Sequence, residues 1–145
     1  MLERLIRQSL LESRFQVDSA GTASYHLGRP PDSRMLAAAA RRDYHLTSVA
    51  KSLTKTMAEE RQLIFAMDRK NYEDILEIAD GETERIRMWS DYLDESWPRD
   101  VPDPYYGGQS GFEYVLDMLE AAGPKIIAEC VKLAGSDKST SQRAF

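Results

Sequence analysis

The feature that most constrains the fold is a short apolar run, Leu63-Ile64-Phe65-Ala66-Met67, that stops at Asp68. Five unbroken apolar residues are too few for a helix and have no polar face to turn to water. A run of this length bounded by charges reads as a strand buried on both faces, the kind found in parallel sheets covered by helices. The sequence beyond it changes period: Arg69 to about Ala79 reads as a helix. Arg85 to Tyr92 then sets Ile86 and Met88 against Arg85 and Arg87, as a strand nearer an edge would.

The same alternation extends to both ends. Leu2, Leu5, Ile6 and Leu10 recur at helical spacing, with no capping residue ahead of them. The helix starts as though cut from something longer. Phe15-Gln-Val-Asp-Ser-Ala-Gly21 reads as a strand ending in turn residues, and Thr22 to Pro31 as a loop. Asp32 caps a helix to about Asp43, and Thr56 with Glu59 has the spacing of a capping box. Ser110 and Glu113 have it again, opening a last helix that stacks Phe112, Val115, Leu116, Leu119, Ile126, Ile127 and Cys130 on one face. Gly123-Pro124 predicts a kink or break there. Residues 135–145 are small and polar and read as a tail, leaving 1–134 as one domain. Strands alternating with helices predict an α/β protein, a three-layer α/β/α domain with a parallel sheet. Its ligand site belongs off the carboxyl ends of the strands.

Charge and cysteine content narrow the function. A net charge of -5 argues against an extended polyanion such as nucleic acid. No stretch approaches a membrane span. The single cysteine, Cys130, excludes an intramolecular disulfide and the usual thiolate metal site, and it fits a cytoplasmic location. No cofactor or metal is expected. Cys130 lies on the apolar stripe of the last helix and reads as a packed core thiol.

The stretch from Leu93 to Ser110 is long for a connection and carries three aromatic residues, Trp97, Tyr105 and Tyr106. At its centre stands Asp103-Pro104-Tyr105-Tyr106-Gly107, a carboxylate beside two rings. As bare turn chemistry it is a surface loop. As a site it suits an aromatic substrate and a proton donor. It resembles the general-acid loop of the low-molecular-weight protein tyrosine phosphatases. Three more segments match that family in order and spacing: Val17-Asp18-Ser19-Ala20-Gly21-Thr22 followed by Tyr25 and Gly28-x-Pro30-Pro31-Asp32; Ile64-x-Ala66-Met67-Asp68 with Asn71; and Phe112-Glu113.

The resemblance implies a hydrolase mechanism. A cysteine thiolate of a Cys-x5-Arg loop attacks phosphotyrosine, backbone N–H groups and the arginine hold the phosphate, and an aspartic acid protonates the leaving phenolate. By position Asp103 is that acid, and Tyr25, Tyr105 and Tyr106 wall the pocket. Ser19 and Asp68 support the phosphate loop from neighbouring strand ends. The partner is a phosphotyrosine protein or a small aryl phosphate.

No Cys-x5-Arg occurs in this sequence, since Cys130 is followed six residues on by Ser136. The family's loop and the strand before it precede the first helix, so the expectation is an N-terminally truncated phosphatase, short of about 15 residues. That strand lies centrally in the family's sheet, of order 2-1-3-4. The chain by itself is then inactive. Two alternatives stand beside this reading: a catalytically dead binding module, and a relative of the arsenate reductases. His26 reads as a pocket-rim residue, with a phosphohistidine nucleophile as the alternative. Arg41 and Arg42 read as water-facing charges offsetting a helix dipole.

Overall fold

The computed structural model describes residues 1–23, 25–81 and 83–141, with side chains to Gly135. Its elements are α1 (Leu2–Gln8), α2 (Ser33–Arg41), α3 (Lys55–Glu60), β1 (Ile64–Ala66), α4 (Arg69–Ile78), β2 (Ile86–Met88) and α5 (Gln109–Ser141). Two single 3-10 turns, Trp89–Tyr92 and Pro104–Tyr106, lie between β2 and α5.

β1 and β2 pair in parallel, Ile64 opposite Ile86 and Ala66 opposite Met88. The period of two decides what each face meets. Ala66, Ile86 and Met88 pack with Ala58, Ile75 and Ala79 of the α3–α4 side. Phe65 points the other way, into a cluster with Trp89, Val101, Met118, Ala122 and Ile126 on the α5 side. Helices on both faces of a parallel sheet make the three-layer α/β/α arrangement that the apolar run required.

The predicted strand at Phe15–Gly21 does not form. Its only ladder contact among the described residues is one parallel bridge, Gly21 to Ser52. Phe15 and Val17 are half-buried while Gln16 and Asp18 are exposed, so the side-chain alternation is present without the ladder. A strand needs a neighbour to receive its backbone groups, and this segment has none beyond the bridge.

Helix starts also differ from expectation. Thr54, not Thr56, caps α3 by accepting the Met57 N–H. Glu113 makes no capping box with Ser110, because its carboxylate is taken by Arg41 and Arg42. Asp32 and Asp68 do cap α2 and α4. α5 is one continuous helix through Pro124. Proline removes one intrahelical hydrogen bond, and Pro124 stands at an exposed position of the helix. Gly123 is buried against α1: a Cβ there would lie 2.7 Å from Met1 Sδ and 2.8 Å from Leu5 Cδ1. The helix runs on through much of the expected tail; residues 142–145 lie outside the described ones.

Arg41 and Arg42 are not simply water-facing. Arg42 pairs with Glu113 (2.6 Å), Asp117 (2.8 Å) and Glu120 (2.7 Å), a stripe at i, i+4 and i+7 on α5. Arg41 reaches Glu113 at 2.5 Å, and Tyr44 Oη donates to Glu120 at 2.9 Å. This network and the Ala38–Phe112–Leu116 cluster fasten α2 to α5.

Candidate active site

The carboxyl ends of β1 and β2 lead into the segments that carry the candidate residues. After β1 comes Asp68, whose carboxylate accepts the Asn71 N–H at 2.6 Å and so is spent on starting α4. The Asn71 amide reaches Thr22 Oγ1 at 3.4 Å, tying α4 to the Gly21–Thr22 turn. The Asp74 carboxyl is held below its usual value by Lys70 first and by the neighbouring Thr22 second.

The loop that carries Asp103 is anchored at its root and braced near its tip. At the root, the Val101 N–H donates to the Met67 carbonyl at 2.9 Å. Asp100 accepts from Arg69 Nη2 at 2.8 Å and from the Arg69 backbone N–H at 2.9 Å. Those bonds hold the Asp100 carboxyl below the ordinary range. Trp97 packs against Tyr114 of α5, with ring centroids 5.6 Å apart. At the tip, Asp103 caps the 3-10 turn Pro104–Tyr106: its Oδ1 accepts the Tyr105 N–H at 2.9 Å. The rings of Tyr105 and Tyr106 meet edge to face at 5.1 Å, and Tyr106 is 91% exposed. Arg34, in the first turn of α2, lies over both Tyr105 (5.3 Å) and Phe112 (4.8 Å).

Two shallow clefts adjoin the Gly21–Ser52 bridge. One, of about 290 Å³, is lined by Thr22, Tyr25, His26, Leu27, Lys51 and Asn71. The other, of about 260 Å³, is lined by Ser19, Arg29, Pro30, Ser48 and Lys51 among others. Lys51 belongs to both and pairs with Asp18 at 2.5 Å, which, with Arg61, lowers the Asp18 pKa. Tyr25 and His26 stack edge to face at 4.7 Å, and both are exposed.

Of the residues singled out from sequence, Asp103, Tyr105 and Tyr106 therefore share one turn. Tyr25 and Ser19 line adjoining clefts, and Asp68 stands one hydrogen-bonded step from the first of them. No hydrogen bond, ion pair or ring contact joins the acid turn to Tyr25 or Ser19 among the described residues. Arg34 and Arg69, which brace the acid loop, were not foreseen. The signal for Arg34 was its place two residues after the helix-capping Asp32. Cys130 is half-buried in the apolar cluster of α5, where burial pushes its thiol pKa up. That is the opposite of what a nucleophilic thiolate needs. Among the described residues no cluster of three or more His, Cys, Asp or Glu side chains could hold a metal. No helix among them is long and apolar enough to cross a membrane.

A parallel sheet with helices on both faces, and loops gathered at the carboxyl ends of its strands, defines an α/β class with its site at that end. Comparison with known proteins agrees. Residues 1–135 match the sequence profile of the family described as low molecular weight phosphotyrosine protein phosphatase. A Synechocystis protein named among the low molecular weight protein-tyrosine-phosphatases is 43% identical over 119 residues, 81% of this chain and 76% of that relative. The low molecular weight phosphotyrosine protein phosphatase of Schizosaccharomyces pombe is 32% identical, over 74% of this chain and 70% of its own. The crystal structure of a protein tyrosine phosphatase from Entamoeba histolytica, with Hepes in its active site, superposes with a TM-score of 0.85 at 33% identity. It covers 90% of this chain and 85% of that one. The chain belongs to the low molecular weight phosphotyrosine protein phosphatase family.

Proposed function

We propose that this chain carries the acid and the aromatic walls of a phosphotyrosine monoester hydrolase, with Asp103 as general acid. The observation that supports it most is the acid turn. Asp103 Oδ1 is occupied by the Tyr105 N–H, which leaves Oδ2 as the oxygen that carries the proton to the departing phenolate and later takes one from water. Tyr105, Tyr106 and Tyr25 offer exposed ring faces to an aryl phosphate. Ser19 and Asp68 stand at the ends of the two segments that would flank a phosphate loop.

The thiolate and arginine of a Cys-x5-Arg loop are not among these 145 residues. A general acid supplies about 10²–10⁴-fold, a small share of the acceleration that phosphate monoesters demand. A polypeptide of these residues alone is therefore expected not to turn over 4-nitrophenyl phosphate or a phosphotyrosyl peptide. The same chain joined in frame to a strand and a Cys-x5-Arg loop is expected to do so through a phosphocysteine. In that protein Asp103→Asn lowers kcat/KM for phenyl phosphate by about 10²–10⁴. Turnover by residues 1–145 alone, or an Asp103→Asn variant as fast as its parent, refutes the proposal.

The exposure of Tyr25, Tyr105 and Tyr106 favours a second reading, a non-catalytic module that works through this surface. It predicts that residues 1–145 fold cooperatively with a fixed near-UV circular dichroism spectrum. A lost near-UV signal with retained helicity counts against it.

A further inference from the structure

We propose that Arg34 is a positioning residue for the acid turn: its guanidinium, fixed by Asp32 and packed on Tyr105 and Phe112, holds the turn that carries Asp103. The inference rests on the acid role proposed above for Asp103.

A cation in the first turn of a helix is out of place, because the helix dipole is positive at that end. Arg34 needs a reason to be there, and its contacts supply one. Its Nε donates to Asp32 Oδ1 at 3.0 Å and its Nη2 to Asp32 Oδ2 at 2.7 Å, the two-pronged grip of which only a planar guanidinium is capable. The Arg34 backbone N–H donates to the same Oδ1 at 2.8 Å. Asp32 thus caps the helix and aims the arginine. These bonds pull the Asp32 pKa down to about 2, so the grip persists through the neutral range.

The plane so fixed serves two rings. Phe112 is 2% exposed and clustered with Ala38, Leu116 and Met35 in the α2–α5 contact, so it is a rigid floor. Tyr105 is 57% exposed, and among the described residues the only other ring it meets is the still more exposed Tyr106. Arg34 is the link between them. Tyr105 in turn holds Asp103, through the N–H that its carboxylate accepts. Position passes from Asp32 to Arg34, to the Tyr105 ring, and to the Asp103 carboxylate. The turn needs such a brace on this side, because Gly107 and Gly108 follow it and carry no side chain to pack.

The test is amide–water exchange by NMR in the 145-residue chain, comparing the parent with Arg34→Ala and Arg34→Lys. In Arg34→Ala, exchange at the Tyr105 and Gly107 N–H groups is expected to quicken at least tenfold, while amides of α5 from Phe112 to Ala122 keep their rates. The Tyr105 ring resonances shift as the cation leaves the ring face. Arg34→Lys restores a cation but not the plane, and is expected to recover part of the protection and part of the shift. Unchanged exchange at Tyr105 and Gly107 in Arg34→Ala overturns the proposal. So does quickening spread equally through α5, which would make Arg34 a general support of the fold. No turnover is read, so failure here leaves the acid role of Asp103 to its own kinetic test, and failure of that test leaves these rates unmoved.

Discussion

Two stretches of this chain have strand-like sequences and meet different ends. Ile64–Ala66 becomes β1, with β2 beside it and helices above and below. Residues 15–18 keep a strand's in-and-out alternation yet form no strand, since among the described residues of this stretch only the neighbouring Gly21 finds a bridge partner. Both have the side chains for the task. The difference lies in neighbours: an extended segment becomes part of a sheet only where another segment receives its N–H and C=O groups. Stability should follow the same divide, because the buried residues lie on the sheet, the helices and the segments that join them from Ala38 onward, with Ile6 of α1, while the described residues from Leu10 to Pro30 contribute none.

Substitutions can break or sharpen that contrast. The largest expected effect is at Trp89, 2% exposed at the centre of the α5-side cluster. Trp89→Ala should cost about 3–5 kcal/mol in urea unfolding, whereas Val17→Ala, on a half-buried segment without a ladder, should cost less than about 1 kcal/mol. Equal losses at the two positions would end the comparison. Arg42→Ala should come next, lowering the urea midpoint by less than Trp89→Ala does, because it leaves Glu113, Asp117 and Glu120 facing one another without their common cation. Adding Glu113→Gln to Arg42→Ala should recover part of that loss.

A smaller effect, of opposite sign, is expected where α1 ends. Leu10 has φ 55°, a left-handed conformation that costs a branched side chain about 1–2 kcal/mol. The Leu11 N–H reaches the Ile6 carbonyl and the Leu10 N–H that of Arg7, the helix-closing pattern in which glycine is usual. Leu10 is 84% exposed, so Leu10→Gly forfeits no packing and should stabilise by about 1 kcal/mol. Loss of stability would show that the solvent-facing leucine has a partner.

The gentlest probe is acid. Lys51 lowers the pKa of Asp18, Arg34 that of Asp32, Arg69 that of Asp100, and Arg41 with Arg42 that of Glu113. Each carboxylate binds its proton less readily when folded than when unfolded, so its contribution is complete above about pH 4–5 and is lost as pH falls toward 2. Melting temperatures should therefore be level from pH 7 to 5 and decline below pH 4. A rise on acidification would contradict the pairings.

Much of this was legible in the sequence, for physical reasons that can be named. The run at Leu63–Met67 and the alternation at Ile86 and Met88 reflect burial, which composition records directly. Asp32 announces a helix start, because a capping carboxylate acts on backbone two or three residues away, whereas the like role of Asp68 went unread. The family could be recognised by resemblance, from the Asp103–Gly107 segment and the three that match with it. What could not be read were relations across the chain. Glu113 looked like a local cap but is bound by arginines some seventy residues before it. Thr56 had the right spacing, yet Thr54 took the cap. Residues 15–20 had strand chemistry, but whether a segment joins a ladder depends on what lies next to it. For the same reason Arg34 could be seen beside Asp32 and not beside Tyr105.

The two tryptophans make the molecule's division visible to light. The Trp89 indole is enclosed, and its Nε1–H donates to the Met118 carbonyl of α5 at 3.3 Å. Its emission should lie at short wavelength and resist iodide. Trp97 is only half-buried, stacked on Tyr114 in the same connection that carries Asp103. Its emission should lie further to the red and yield to the quencher. One unlabelled sample thus holds two chromophores, one reporting whether the core is intact and the other whether the acid loop has moved.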